Sequence, residues 1–325
     1  MGIGHGHGHG HGNGHGHGHA VLESSGEGIR AVRTSLVVLG LTAVAQLAVV
    51  LATGSTALLA DTIHNFSDAL TALPLWVAFV IGRRAPTRRY TYGYGRAEDL
   101  AGVFVVAMIA LSAVVAGWES FRRLFNPVEI INPGVVLVAG VIGFAGNEIV
   151  AVYRIRVGRR IGSAALVADG LHARTDGFTS LAVVGAALGV MAGYPLADPF
   201  VGLLITAAIL VVLKGAATDI YRRLMDAVDP GLVDAAEAVL RAVPGVEGVE
   251  SLRLRWTGHR LRAEAGLVVE PALDVVAGHA IAVAAHHALL HEIPRLVDAN
   301  IHISPRDDVG LDHHRLLAHH PESRT

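Results

Sequence analysis

The sequence predicts an α-helical membrane protein of six transmembrane helices, followed by a small α+β domain with the element order αββαβ. Three observations carry that expectation. The 325 residues are 52% hydrophobic and only 17% charged, with a mean hydropathy of +0.49, too apolar for an ordinary soluble domain of this size. From about Ser35 to beyond Phe200, apolar segments recur, each near the ~20 residues a helix needs to cross a bilayer. After Asp226 the pattern changes to short amphipathic and alternating runs.

In chain order, Met1 to Ala20 alternates Gly with His5, His7, His9, His11, His15, His17 and His19 and has no apolar period. It cannot pack a core, so residues 1–28 are expected to be disordered. It lacks the basic start and apolar run of a signal peptide. A purification tag would also be His-rich, but alternation with Gly is unlike a plain polyhistidine run and suits a low-affinity collector of borderline metal ions.

Six spans are expected at Leu36 to Ala52, Ala57 to Ile81, Leu100 to Trp118, Val135 to Val152, Ala164 to Met191 and Leu196 to Leu213, within a membrane domain of residues 29–218. Arginines and lysine cluster on alternate sides: Arg30 and Arg33; Arg83, Arg84, Arg88, Arg89 and Arg96; Arg154, Arg156, Arg159 and Arg160; Lys214, Arg222 and Arg223. Those regions are expected to be cytoplasmic, with both termini inside a cell membrane; Arg122 and Arg123 are the discordant pair. In residues 219–308, Val233 to Val243 and Leu273 to His291 read as helices, and Val249 to Trp256, Leu261 to Val269 and Val297 to Ile303 as strands of a small mixed sheet. Residues 309–325, with His313, His314, His319 and His320, are expected to be disordered.

One stretch is written twice. Ser55 to Asp68 carries Asp61, His64 and Asp68, and Ser163 to Asp176 carries Asp169, His172 and Asp176, each at i, i+3 and i+7 and so on one helix face. The expected topology makes the two copies antiparallel, as in an inverted repeat. Each charged residue at mid-bilayer costs roughly 3 kcal/mol, which a bound dication offsets and helix packing alone does not. A single buried His-Asp pair is more often a satisfied hydrogen bond than a metal site; two copies with one spacing change that balance.

With no cysteine in the chain, a metal must be held by imidazole and carboxylate. His64, Asp68, His172 and Asp176 match a tetrahedral zinc site in ligand type and number, while cobalt, nickel and manganese remain allowed by softness. Asp61 and Asp169, one turn away, are expected to orient the imidazoles or to relay protons. Asn147 and Glu148 also sit at membrane depth, lining the path or hydrogen-bonding another helix. Protons compete for the same ligands, so release of the ion is naturally coupled to proton uptake and alternating access. A net charge of -2 gives no basic field for nucleic acid.

These residues resemble the cation diffusion facilitator family of metal exporters, which are transporters and not enzymes. The resemblance covers about Arg30 to Asp307 and rests on the two A-D-x-x-H-x-x-x-D stretches, the loop Tyr92-Gly93-Tyr94-Gly95-Arg96-Ala97-Glu98 and the αββαβ domain. It implies a homodimer in the lipid bilayer, proton-coupled efflux of divalent ions, zinc foremost with cobalt, cadmium, nickel, iron or manganese as others, and a metallochaperone-like (ferredoxin-like) cytoplasmic domain. His64 where some members carry Asp favours zinc or cobalt over manganese. Thr87, Tyr90 and Tyr94 fall where other members hold a loop metal, so no loop site is expected. His279 and His302 match C-terminal domain ligand positions, whereas Glu250, Gly266 and Ser304 depart from them; His259, His286, His287 and His291 could substitute but read more simply as solvated. Arg96 and Asp226 match a charge interlock. Two rival readings are an intramembrane metal-dependent hydrolase, for which no H-E-x-x-H motif is present, and a membrane-anchored metal sensor, which leaves the buried ligands without a use.

Overall fold

The structure is a computed structural model that describes residues 15–53, 72–126, 133–194 and 197–306. Its helical part consists of α1 (His15–Thr53), α2 (Leu73–Gly82), α3 (Arg96–Phe125), α4 (Pro133–Ile161), α5 (Ala164–Met191) and α6 (Ala197–Leu224). Among the described residues, Ser24–Ala48, Arg96–Phe125, Pro133–Ile161 and Ala197–Leu224 are long and apolar enough to cross a membrane. α5 is as long as α6, but Asp169, His172, Arg174 and Asp176 interrupt its apolar run. α2 is the described end of the second apolar segment, begun by Pro74 in its first turn, where a missing N–H costs nothing.

The helices run past the expected spans, and this corrects three expectations. Helix α1 starts at His15, so residues 15–28 are not disordered. Tertiary contact supplies what the composition lacks: Ser25, Ala31 and Val32 are buried, and Gly28 lies so close under the Phe79 ring that a Cβ would come within 2.7 Å of it. Arg154, Arg156, Arg159 and Arg160 lie on α4 rather than in a loop, and Lys214, Arg222 and Arg223 lie on α6. Backbone hydrogen bonding carries a helix beyond the point where its side chains become polar. The turn after α4 is only Gly162 and Ser163; Gly162 takes φ +79°, a left-handed conformation that suits glycine after a helix end. Ser163 then caps α5, its Oγ accepting from the Leu166 N–H.

α4 packs between α1 and α5, α6 contacts α3 and α5, and α2 joins α1 to α3. The α4–α5 contact is close because it is made through glycine: a Cβ at Gly158 would sit 2.9 Å from the Val167 backbone nitrogen, and one at Gly170 2.9 Å from that of Ile155. The discordant Arg123 is accounted for by Asp198 of α6 and Glu119, which it contacts at 2.9 and 3.0 Å.

The C-terminal domain follows as α7 (Pro230–Arg241), β1 (Gly248–Thr257), β2 (Arg260–Val269), α8 (Val275–Glu292) and β3 (Leu296–Pro305). β1 and β2 pair antiparallel across a two-residue turn, and β2 pairs parallel with β3 through the α8 crossover, giving a mixed sheet of order β1-β2-β3. Leu261, Ala263, Ala265 and Leu267 alternate inward on β2 and meet Ala236, Leu240, Ala285 and Leu289 of the two helices. The α+β reading of this part therefore stands, with each element within a few residues of its expected limits.

Candidate metal centre

α5 carries the second copy of the repeated stretch. His172 and Asp176, one turn apart, are both buried, with His172 Nδ1 3.7 Å from Asp176 Oδ1. Each is also engaged beyond this contact. Thr175 and Thr179 keep their own hydroxyls off the site by donating to the backbone carbonyls of His172 and Asp176, both at 2.7 Å. The first copy, with Asp61, His64 and Asp68, lies outside the described residues. Among the described residues no three His, Asp or Glu side chains converge on one point. The described site is thus one imidazole and one carboxylate, a chemically apt half of a zinc-type ligand set.

The neighbouring charges on α5 are committed elsewhere. Asp169, expected to orient the imidazole, has Arg154 of α4 as its partner at 2.9 Å, with both side chains essentially inaccessible to water. The physical reason is proximity: glycines at 158 and 170 bring α4 and α5 close enough for the guanidinium to reach it. Arg154 was invisible as a site residue because its run of arginines reads as a loop. Glu148 accepts two hydrogen bonds from Arg174, at 2.7 and 3.1 Å, so of the two expectations for it the helix-to-helix contact holds. Asn147 is buried at the same depth, near Gly177.

In the C-terminal domain His279 and His302 are both exposed, on α8 and β3. Glu250 accepts from Ser304 Oγ at 3.0 Å across the sheet. His287 and His291 pair their rings at 4.3 Å. His259 departs from the solvated reading: it is 7% exposed, its Nδ1 is 2.7 Å from Glu98 Oε2 and its Nε2 3.3 Å from Ser25 Oγ. Beside it, burial holds the Arg260 guanidinium below the ordinary arginine value, and the charge of Glu98 offsets only part of that. Arg96 Nη2 donates to Asp226 Oδ1 at 2.6 Å.

Comparison with known families decides the identity. The Cation efflux transmembrane domain matches residues 32–225, and the Cation efflux protein, cytoplasmic domain, matches residues 228–306. The chain belongs to the cation diffusion facilitator family. It is 63% identical over 286 residues to a protein of Mycobacterium tuberculosis named a probable cation efflux system protein, covering 88% of this chain and 86% of that one. The cation-efflux pump FieF of Serratia proteamaculans is 28% identical over 256 residues, covering 78% and 84%. The magnetosome protein MamB of Paramagnetospirillum magneticum is 25% identical over 256 residues, covering 78% and 86%. This cation diffusion facilitator is a multi-pass membrane transporter of the cation-efflux type, and its two matched domains meet between Met225 and Val228, where α6 has ended and α7 has not begun.

Proposed function

We propose that the protein exports zinc from the cytoplasm in exchange for protons, by alternating access to a site formed by His64 and Asp68 with His172 and Asp176. The observation that carries this is the buried His172–Asp176 pair, at the same i, i+4 spacing as His64 and Asp68. Its neutral nitrogen and carboxylate oxygen donors fit a borderline dication, and both take up protons when the ion leaves. Cobalt, cadmium, nickel, iron and manganese are the competing cargoes. Asp61, one turn from His64, serves to orient that imidazole or to relay protons, and Asp169 acts with Arg154 as a brace between α4 and α5.

The clustering of Arg and Lys supports a cytoplasmic C-terminal domain and cytoplasmic termini in a cell membrane. The functional unit is a homodimer, and Arg96 with Asp226 links the start of α3 to the residues just past α6 within each protomer. His279 and His302 offer the C-terminal domain a weak metal contact. The test uses purified protein in sealed vesicles with an imposed proton gradient and a panel of divalent ions. Zinc is expected to accumulate fastest and to stop when the gradient is collapsed; accumulation indifferent to the gradient would contradict proton exchange. Removing Met1 to Gly14 is expected to slow uptake at low zinc and leave the maximal rate intact, as a collector requires.

A further inference from the structure

At the junction of the two domains lies a buried cluster that the transport site does not use. The β1–β2 turn, Gly258-His259, enters a socket built from α1, α2 and the start of α3. Gly258 takes φ +62°, and a Cβ there would meet the Gly95 carbonyl oxygen at 2.8 Å and Glu98 at 2.9 Å, so only glycine seats this closely. Its N–H donates to Asp99 Oδ2 at 3.2 Å. His259 is clasped between Glu98 of α3 and Ser25 of α1, with the Phe79 ring of α2 6.0 Å from its own. Arg260 donates to the Gly82 carbonyl at 3.3 Å, and Tyr92, in the loop before α3, lies under Arg255 and Arg262.

The same hairpin is tied to the start of α5. Arg223, at the end of α6 and stacked 4.1 Å over Trp256, donates to the Gly258 carbonyl at 3.2 Å and to the Gly162 carbonyl at 2.8 Å. From the other side, Arg295 donates to the carbonyls of Arg159 and Arg160, both at 3.0 Å, while its own carbonyl accepts from Leu261 N–H at the start of β2. The turn between α4 and α5 is therefore gripped from two directions, by Arg223 of α6, which also holds the hairpin tip, and by Arg295 of the C-terminal domain. A join needed only for cohesion would be better made of apolar contacts, because buried ionisable groups cost desolvation; polar, directional contacts suit an element with two alternative seatings. A cleft of ≈ 410 Å³, lined by Arg160, His259, Arg260 and Arg295 among others, opens beside the tip and leaves room for a second seating.

We propose that the Gly258-His259 tip is a coupling element: its seating against Glu98 and Ser25, passed through Arg223 to the Gly162 turn, positions the helix that bears His172 and Asp176, and the tip shifts in its socket during each transport cycle. This rests on the transport reading above. His259, Glu98 and Arg223 are positioning residues, since none touches the ion.

A Cβ at Gly95 would lie 2.8 Å from Thr257 Cγ2 and 2.9 Å from the Thr257 carbonyl oxygen, so Gly95→Ala wedges the hairpin tip out of its socket. Full-length Gly95→Ala in zinc-loaded vesicle assays is expected to lose about tenfold in transport rate, within the usual range for coupled sites, while keeping an unfolding temperature near that of wild type. Gly95→Ala protein that transports as fast as wild type would overturn the proposal. His259→Ala is the second arm: a lower maximal rate with an unchanged KM for zinc is expected, and a wild-type maximal rate would overturn it. Wild-type vesicles that move none of zinc, cobalt, cadmium or manganese would sink the transport reading instead.

Discussion

Two ion pairs of similar length hold different parts of this chain, and their surroundings differ completely. Arg154 and Asp169 meet at 2.9 Å inside the helix bundle with 2% and 0% of their side chains exposed; Arg96 and Asp226 meet at 2.6 Å at the domain junction with 42% and 43% exposed. In the first, neither charge can fall back on water if its partner leaves. In the second, both can. The lesson is that distance alone says little about what an ion pair does: the buried pair commits α4 to α5, while the exposed pair can open and close at little cost.

The largest effect should therefore follow from half of the buried pair. Asp169→Ala or Arg154→Ala is expected to cost about 3–5 kcal/mol, read as a lowered unfolding temperature in detergent, because an uncompensated charge remains. Replacing both together, as Arg154→Met with Asp169→Leu, is expected to recover most of that loss. A single change that leaves stability untouched would break the comparison. Glu148 and Arg174, with 32% and 30% exposed, stand between the extremes; a double-mutant cycle on them is expected to give a coupling of about 1 kcal/mol. The smallest effect belongs to Arg96→Ala or Asp226→Ala, within about 1 kcal/mol and vanishing at high salt. A loss there that persists in molar salt would mean the junction pair is desolvated in the working protein.

How much of this was legible in the sequence follows from which interactions are local. α5 was expected from Ala164 to Met191 and spans those residues, because its serine cap and its Gly-containing end are written beside it. The i, i+4 pairing of His172 with Asp176 is likewise a property of one helix. The far end of α4 was not legible, since Arg154 to Arg160 mark where the bilayer ends and carry no mark of where hydrogen bonding does. Nor was the partner of Asp169, which depends on two glycines letting separate helices approach. His259 reads from its neighbours as an exposed turn, and its burial comes wholly from a socket assembled from Ser25, Phe79 and Glu98, more than 150 residues earlier in the chain.

The central claim is that His172 and Asp176 of α5, rather than the arginine-paired Asp169 of α5 and Glu148 of α4, hold the ion. The direct measurement is proton-driven zinc uptake by vesicles containing the His172→Ala plus Asp176→Ala protein, compared with wild type at equal protein density. Uptake is expected to fall to the level of empty vesicles while the protein keeps its wild-type unfolding temperature to within a few degrees. Uptake at the wild-type rate would contradict the account.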